Sequence, residues 1–119
     1  MIDDDKNTTK VFSDILELMG LDIAGQGYSG DEAVSLYQNH RPDVAFIDIV
    51  MPQKNGFYAI EKIRERDPGA KIVAVTADFT LETQQRLEAM NISAIIYKPF
   101  NQNEIKRVLL EKYEIQIVP

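Results

Sequence analysis

Asp48, Lys98 and the acidic run Asp3-Asp4-Asp5 are far apart in the chain, yet each follows a short apolar run. Groups placed that way can meet at one edge of a parallel sheet. Carboxylates converging within about 5 Å repel by about 3 kcal/mol per pair at an effective dielectric near 20. Such a cluster is tolerated where it holds a divalent cation, and oxygen-only ligands suit Mg2+. Taken singly, Asp48 reads as a loop cap, Lys98 as a surface lysine, and the acidic run as a solvated terminus. Their shared position after apolar runs is what argues for a site.

The chemistry this set suits is phosphoryl transfer to a carboxylate. Asp48 is the candidate nucleophile, forming an acyl phosphate. Mg2+ and Lys98 are the candidates to neutralise charge on the transferring group, which is most of what that transition state needs. Thr76 ends another apolar run, and its hydroxyl can donate to the same oxygen. No general base is required, because an aspartate is ionised at pH 7.

The elements that must position these groups alternate along the chain. Val11, Phe12, Ile15, Leu16, Leu18 and Met19 recur at helical spacing, and Gly20 stops that helix. Leu21 to Ala24 is a short strand candidate. Ser29-x-x-Glu32 has capping-box spacing and opens a second helix. Val44 to Ile47 is a continuous apolar run, the mark of a strand covered on both faces. Helices led by Asn55-Gly56, by Leu81 and by Asn101-x-x-Glu104 alternate with strands at Ile72 to Val75 and Ala94 to Tyr97. The pattern predicts an α/β fold, a three-layer sandwich with helices on both faces of a parallel sheet. Its first strand is cut short, since only Met1 and Ile2 precede the acidic run.

At 119 residues the chain is read as one domain, residues 1–119, with 45% apolar and 27% charged residues. It has no cysteine and one histidine, His40, which excludes disulfides, thiol catalysis and a histidine-based triad. A net charge of −6 argues against direct binding to nucleic acid or anionic membrane. With no spanning segment and no signal peptide, the expected setting is soluble and cytoplasmic.

Ile2-Asp3-Asp4-Asp5, Phe46-Ile47-Asp48-Ile49-Val50-Met51-Pro52-x-x-x-Gly56, Val75-Thr76-Ala77 and Tyr97-Lys98-Pro99-Phe100 together resemble the receiver domain of two-component response regulators. The resemblance spans essentially the whole chain. It implies a flavodoxin-like fold with five parallel strands in the order 2-1-3-4-5. It also implies phosphorylation of Asp48 by a histidine kinase or phosphotransfer protein, and output through a downstream protein target. By position, Asp3 and Asp4 match the family's acidic pair, Asp4 as a direct Mg2+ ligand, with Asp5 in reserve should the register slip by one. Val50 would add a backbone carbonyl to the metal, and the Lys98-Pro99 bond would be cis.

Three departures qualify that resemblance. The family's aromatic switch position, three residues before the lysine, is Ile95. Tyr97 is read as facing the other way, which leaves Thr76 and Ile95 as the switch pair and output to the loop and helix around residues 77–90. Val50 and Asp78, two residues after Asp48 and Thr76, flank the path of the hydrolytic water. Tyr113 to Val118 is alternating and β-branched, so residues 114–119 are read as a tail or an extra strand, one that a second copy could exchange in a dimer. The alternative function is a phosphorylation-independent scaffold that keeps the fold and has lost the switch. An aspartyl phosphohydrolase is disfavoured, because its acid/base carboxylate would fall at Val50.

Overall fold

The structure is a computed structural model that describes residues 1–52 and 55–117. Five helices and three strands follow one another as α1 (Lys6–Leu18), α2 (Gly30–His40), β1 (Ala45–Asp48), α3 (Gly56–Arg66), β2 (Ile72–Thr76), α4 (Leu81–Ala89), β3 (Ile95–Tyr97) and α5 (Gln102–Tyr113). Local chemistry sets most helix starts. Ser29, Asn55, Thr80 and Asn101 each accept a hydrogen bond from the backbone N–H three residues on. Glu32 reaches back to the Tyr28 N–H, and Gly20 leaves α1 with φ of +88°.

The strands pair in parallel in the order β1-β2-β3, with Asp48 beside Val75 and Thr76 beside Tyr97. Alternation splits the core in two. Ile47, Ile72 and Ala74 pack with Tyr37, Ile60, Ile63 and Leu87 under α2, α3 and α4. Phe46, Val73, Val75 and Ile96 pack with Phe12, Leu16, Ile105 and Leu109 under α1 and α5. The three-layer sandwich is as expected.

Five full strands are not present among the described residues. Ile2 makes single parallel bridges to Gly27 on one side and Ile47 on the other. Leu21 to Ala24, expected as a strand, has no regular structure. One physical cause explains both. A strand exists by hydrogen bonds to a neighbour, and the neighbour at this position is the single bridge at Ile2. Gly25 takes the Met1 N–H on its carbonyl at 3.2 Å, and no bridge pairs residues 21–24 among the described residues. Between them and β1 lies a cavity of 510 Å³, lined in part by Leu16, Leu21, Ile23, Leu36, Val44 and Phe46.

At the other end, α5 stops at Glu114 with φ of +56°. The tail forms no strand through Ile117; Ile115 and Ile117 are half-buried against the α1–α5 cluster. Val118, Pro119, Gln53 and Lys54 lie outside the described residues. Among the described residues no helix is long and apolar enough to cross a membrane.

Candidate functional site

The carboxyl ends of Ile2, β1, β2 and β3 open on one edge, and the sequence-read groups collect there. Asp3 is buried just after the Ile2 rung, and Asp48 is the last residue of β1, also buried. Asp3, Asp4 and Asp48 each offer a carboxylate oxygen within 4.8 Å of the others. Lys98, just past β3, donates from Nζ to Asp3 Oδ2 at 2.7 Å and lies 3.5 Å from Asp48 Oδ2. The Lys98-Pro99 bond is cis, as expected.

The acidic run separates into three environments. Asp3 points inward and its Oδ1 accepts the Asp5 N–H at 2.9 Å. Asp4 is exposed, with its carboxylate beside the other two. Asp5 caps α1, accepting the Asn7 and Thr8 N–H groups, which hold its carboxyl below the usual range. Asp5 is thus taken up by the helix, and the two aspartates whose carboxylates lie beside Asp48 are Asp3 and Asp4.

Electrostatics at the edge are strained. Burial, and then the charge of Asp3, push the Asp48 carboxyl up to about 6; Lys98 and the Val50 N–H oppose this. Burial pulls Lys98 down, but its hydrogen bond to Asp3 and the charges of Asp48 and Asp3 outweigh that and raise it. Three carboxylates against one ammonium leave net negative charge, relieved either by a proton or by a cation. An all-oxygen donor set within this span fits Mg2+.

The supports of Asp48 are backbone features. Gly56 opens α3 against the end of β1, where a Cβ would fall 2.3 Å from the Asp48 carbonyl oxygen and 2.7 Å from Ile49 Cα. Only glycine lets the helix approach so closely. Val50 directs its N–H to Asp48 Oδ1 at 3.4 Å and is 61% exposed.

Thr76 is fully buried and takes the Lys98 N–H on its carbonyl at 2.8 Å. Its hydroxyl oxygen accepts the Asp78 N–H at 3.0 Å, which leaves its proton to be donated elsewhere. Asp78 is turned away onto α4, bound to the Thr80 N–H at 2.8 Å and the Thr83 hydroxyl at 2.7 Å.

A family model of the response regulator receiver domain matches residues 1–110. The chain belongs to that family. The receiver domain is 38% identical over 109 residues to protein CcdB of Bacillus subtilis, covering 88% of each chain. It is 33% identical over 111 residues to the chemotaxis protein CheY of Thermotoga maritima, covering 92% of this chain and 91% of that one. Among solved structures it resembles the CheX–CheY–BeF3–Mg2+ complex from Borrelia burgdorferi, with a TM-score of 0.87 and 25% identity over 94% of this chain and 85% of that chain. A CheY-like receiver domain from Methanospirillum hungatei gives a TM-score of 0.86 at 26% identity, over 95% of this chain and 90% of that chain. Phosphorylation on aspartate and Mg2+ binding are standard in receiver domains, and this one is a signalling domain of a two-component system.

One reading of this receiver domain is corrected. Tyr97 does not face away from Ile95. Residues two apart in a strand share a face, and Ile95 packs with the α2–α4 cluster while Ile96 joins the opposite one. Tyr97 stacks on Phe79 of the loop before α4, with ring centroids 4.6 Å apart. Phe79 was not legible as a partner, because loop residues carry no periodicity. Thr9 was also missed: its fully buried hydroxyl lies 3.1 Å from the Asp3 carbonyl oxygen and 3.0 Å from that of Asp5.

Proposed function

We propose that Asp48 is the phospho-acceptor of this receiver domain and that Asp3, Asp4 and Asp48, with the Val50 carbonyl, hold Mg2+. The observation that carries the reading is the meeting of three carboxylates within 4.8 Å, with Lys98 bridging Asp3 and Asp48. An Asp48 carboxylate oxygen attacks the phosphorus of a phosphohistidine. The bond from phosphorus to the histidine nitrogen breaks, and its electron pair stays on that nitrogen. Bound Mg2+ supplies positive charge against the phosphoryl oxygens. Lys98 is positioned to shift from Asp48 to a phosphoryl oxygen as a point charge, and Thr76 has a hydroxyl proton to donate. The whole chain, residues 1–119, is read as the one domain that does this.

Receiver domains engage histidine kinases and downstream proteins, and the same partner classes are proposed here. The switch pair is Thr76 and Ile95, with the loop over residues 77–80 as the moving part. That loop is held by the Thr76–Asp78 bond and by the stack of Phe79 on Tyr97. Drawing the Thr76 hydroxyl toward a phosphoryl group competes with the first, and the second then determines how far the loop lifts. The aliphatic, half-buried Ile95 favours the second reading, a scaffold with no switch.

Incubation with a small phosphodonor and Mg2+, read by intact mass, separates the two. A phosphoryl gain that is absent in Asp48→Asn supports the acceptor. No gain from a folded protein supports the scaffold.

A further inference from the structure

Three like charges in sequence should splay apart, yet Asp3 and Asp4 are held beside Asp48. Backbone pairing accounts for the first part of this run only: the Asp3 N–H is bound to the Gly27 carbonyl and the Gly27 N–H to the Met1 carbonyl. Beyond Asp3 the chain leaves the sheet, and a different group takes over. Thr9, on the first turns of α1, points its hydroxyl back at the turn. One proton is shared between the Asp3 and Asp5 carbonyl oxygens, at 3.1 and 3.0 Å. The contact to Asp5, four residues back, is the ordinary habit of a helical threonine. The contact to Asp3, six residues back and outside the helix, is not. It ties together the two ends of the segment that carries Asp4.

We propose that Thr9 is a positioning residue for the metal site, clamping the Asp3–Asp5 turn so that the exposed Asp4 carboxylate stays next to Asp3 and Asp48. One more bond spans the same turn, the Asp5 N–H to Asp3 Oδ1 at 2.9 Å, while the Thr9 N–H to the Asp5 carbonyl at 3.0 Å is the helix's own. The Thr9 hydroxyl is the group from α1 that touches both ends at once. It is fully buried, so losing it leaves the Asp3 carbonyl without that donor, out of reach of bulk water. Serine keeps the donor; valine keeps the shape and removes it. The proposal rests on the reading of Asp3, Asp4 and Asp48 as metal ligands, and the test separates the two.

Mg2+ alone is titrated by calorimetry into the wild-type chain, Thr9→Val, Thr9→Ser and Asp4→Asn, and exchange of the Asp5 amide is followed with no metal added. Groups that orient metal ligands typically contribute tenfold or more to affinity, so Thr9→Val is expected to bind about tenfold more weakly and Thr9→Ser close to wild type. Asp5 amide exchange is expected to quicken in Thr9→Val and not in Thr9→Ser, with the remaining α1 amides unchanged. Equal Mg2+ affinity in wild type and Thr9→Val overturns the clamp while leaving the ligand reading intact. No Mg2+ binding by the wild type overturns the ligand reading, and the exchange arm still decides the clamp: an unchanged Asp5 amide refutes it. Weaker binding by valine and serine alike, with slower exchange nowhere restored, assigns Thr9 to packing and refutes it as well.

Discussion

Lys98 Nζ sits 2.7 Å from Asp3 Oδ2 and 3.5 Å from Asp48 Oδ2, so the closer partner of the lysine is not the proposed acceptor. Asp48 keeps the weaker share of the only cation at this edge among the described residues that contacts it. Removing that cation leaves two buried carboxylates facing each other. Lys98→Met is expected to destabilise the fold by about 2 kcal/mol at pH 7, below the range for fully buried pairs because the lysine is partly exposed. The loss should shrink toward pH 5, where Asp48 takes up a proton. Urea unfolding at the two pH values measures both.

Asp48 itself opposes folding when charged. Its folded pKa of about 6 lies above the ordinary 3.8, so the native state holds the extra proton between those values. Stability from this group therefore falls as pH rises from about 4 to about 6 and stays low above. Asp48→Asn should raise stability by about 2 kcal/mol at pH 7 and by little at pH 4. Unfolding free energies across that range check the sign, and Mg2+ should narrow the difference by binding the folded wild type.

Gly56→Ala places a Cβ against the Asp48 carbonyl and Ile49 Cα, both backbone atoms that cannot swing aside. We expect a destabilisation of about 2–3 kcal/mol. Phosphorylation from a small donor should slow as well, since the end of β1 must shift. A serine substitution should behave the same way.

The Phe79–Tyr97 stack is open to solvent on one side, with Phe79 61% exposed. A double-mutant cycle with Phe79→Ala and Tyr97→Ala should give a coupling of about 0.5–1 kcal/mol. Additive losses would mean the rings merely lie side by side.

A cavity of 510 Å³ lies beside Ile2, between residues 21–25 and β1. Three β-branched residues added ahead of Met1 should fill much of it and extend to residues 21–24 the pairing that Met1 makes with Gly25. After the entropy of ordering them, about 2 kcal/mol of added stability is expected. New amide protection at Ile23, Gly25 and Phe46 would mark the added rungs, and a melting temperature no higher than before would count against this.

Helix starts and the places of Asp48, Thr76 and Lys98 were readable in one dimension. Ser29, Asn55 and Asn101 act on N–H groups three residues away, and each site residue ends an apolar run whose direction the crossovers dictate. The strand expected at Leu21 to Ala24 does not form, for the opposite reason. Its apolar residues are real and do reach the core's edge, but a strand's hydrogen bonds belong to its neighbour, and the neighbour is one rung long.

From the sequence alone come the α/β sandwich, the edge where chemistry gathers, and the places of Asp48 and Lys98 on it, because these follow from periodicity and chain direction. Three identical aspartates carry no contrast among themselves. The resemblance ranked Asp3 and Asp4 ahead of Asp5 by position, and the fold separates all three, burying Asp3, giving Asp5 to the start of α1 and leaving Asp4 held between two ends of a turn. The same holds for Phe79 against Tyr97 and for Thr9 against Asp3. Those contacts join a loop to a strand and a helix to the turn before it, and no local pattern encodes them.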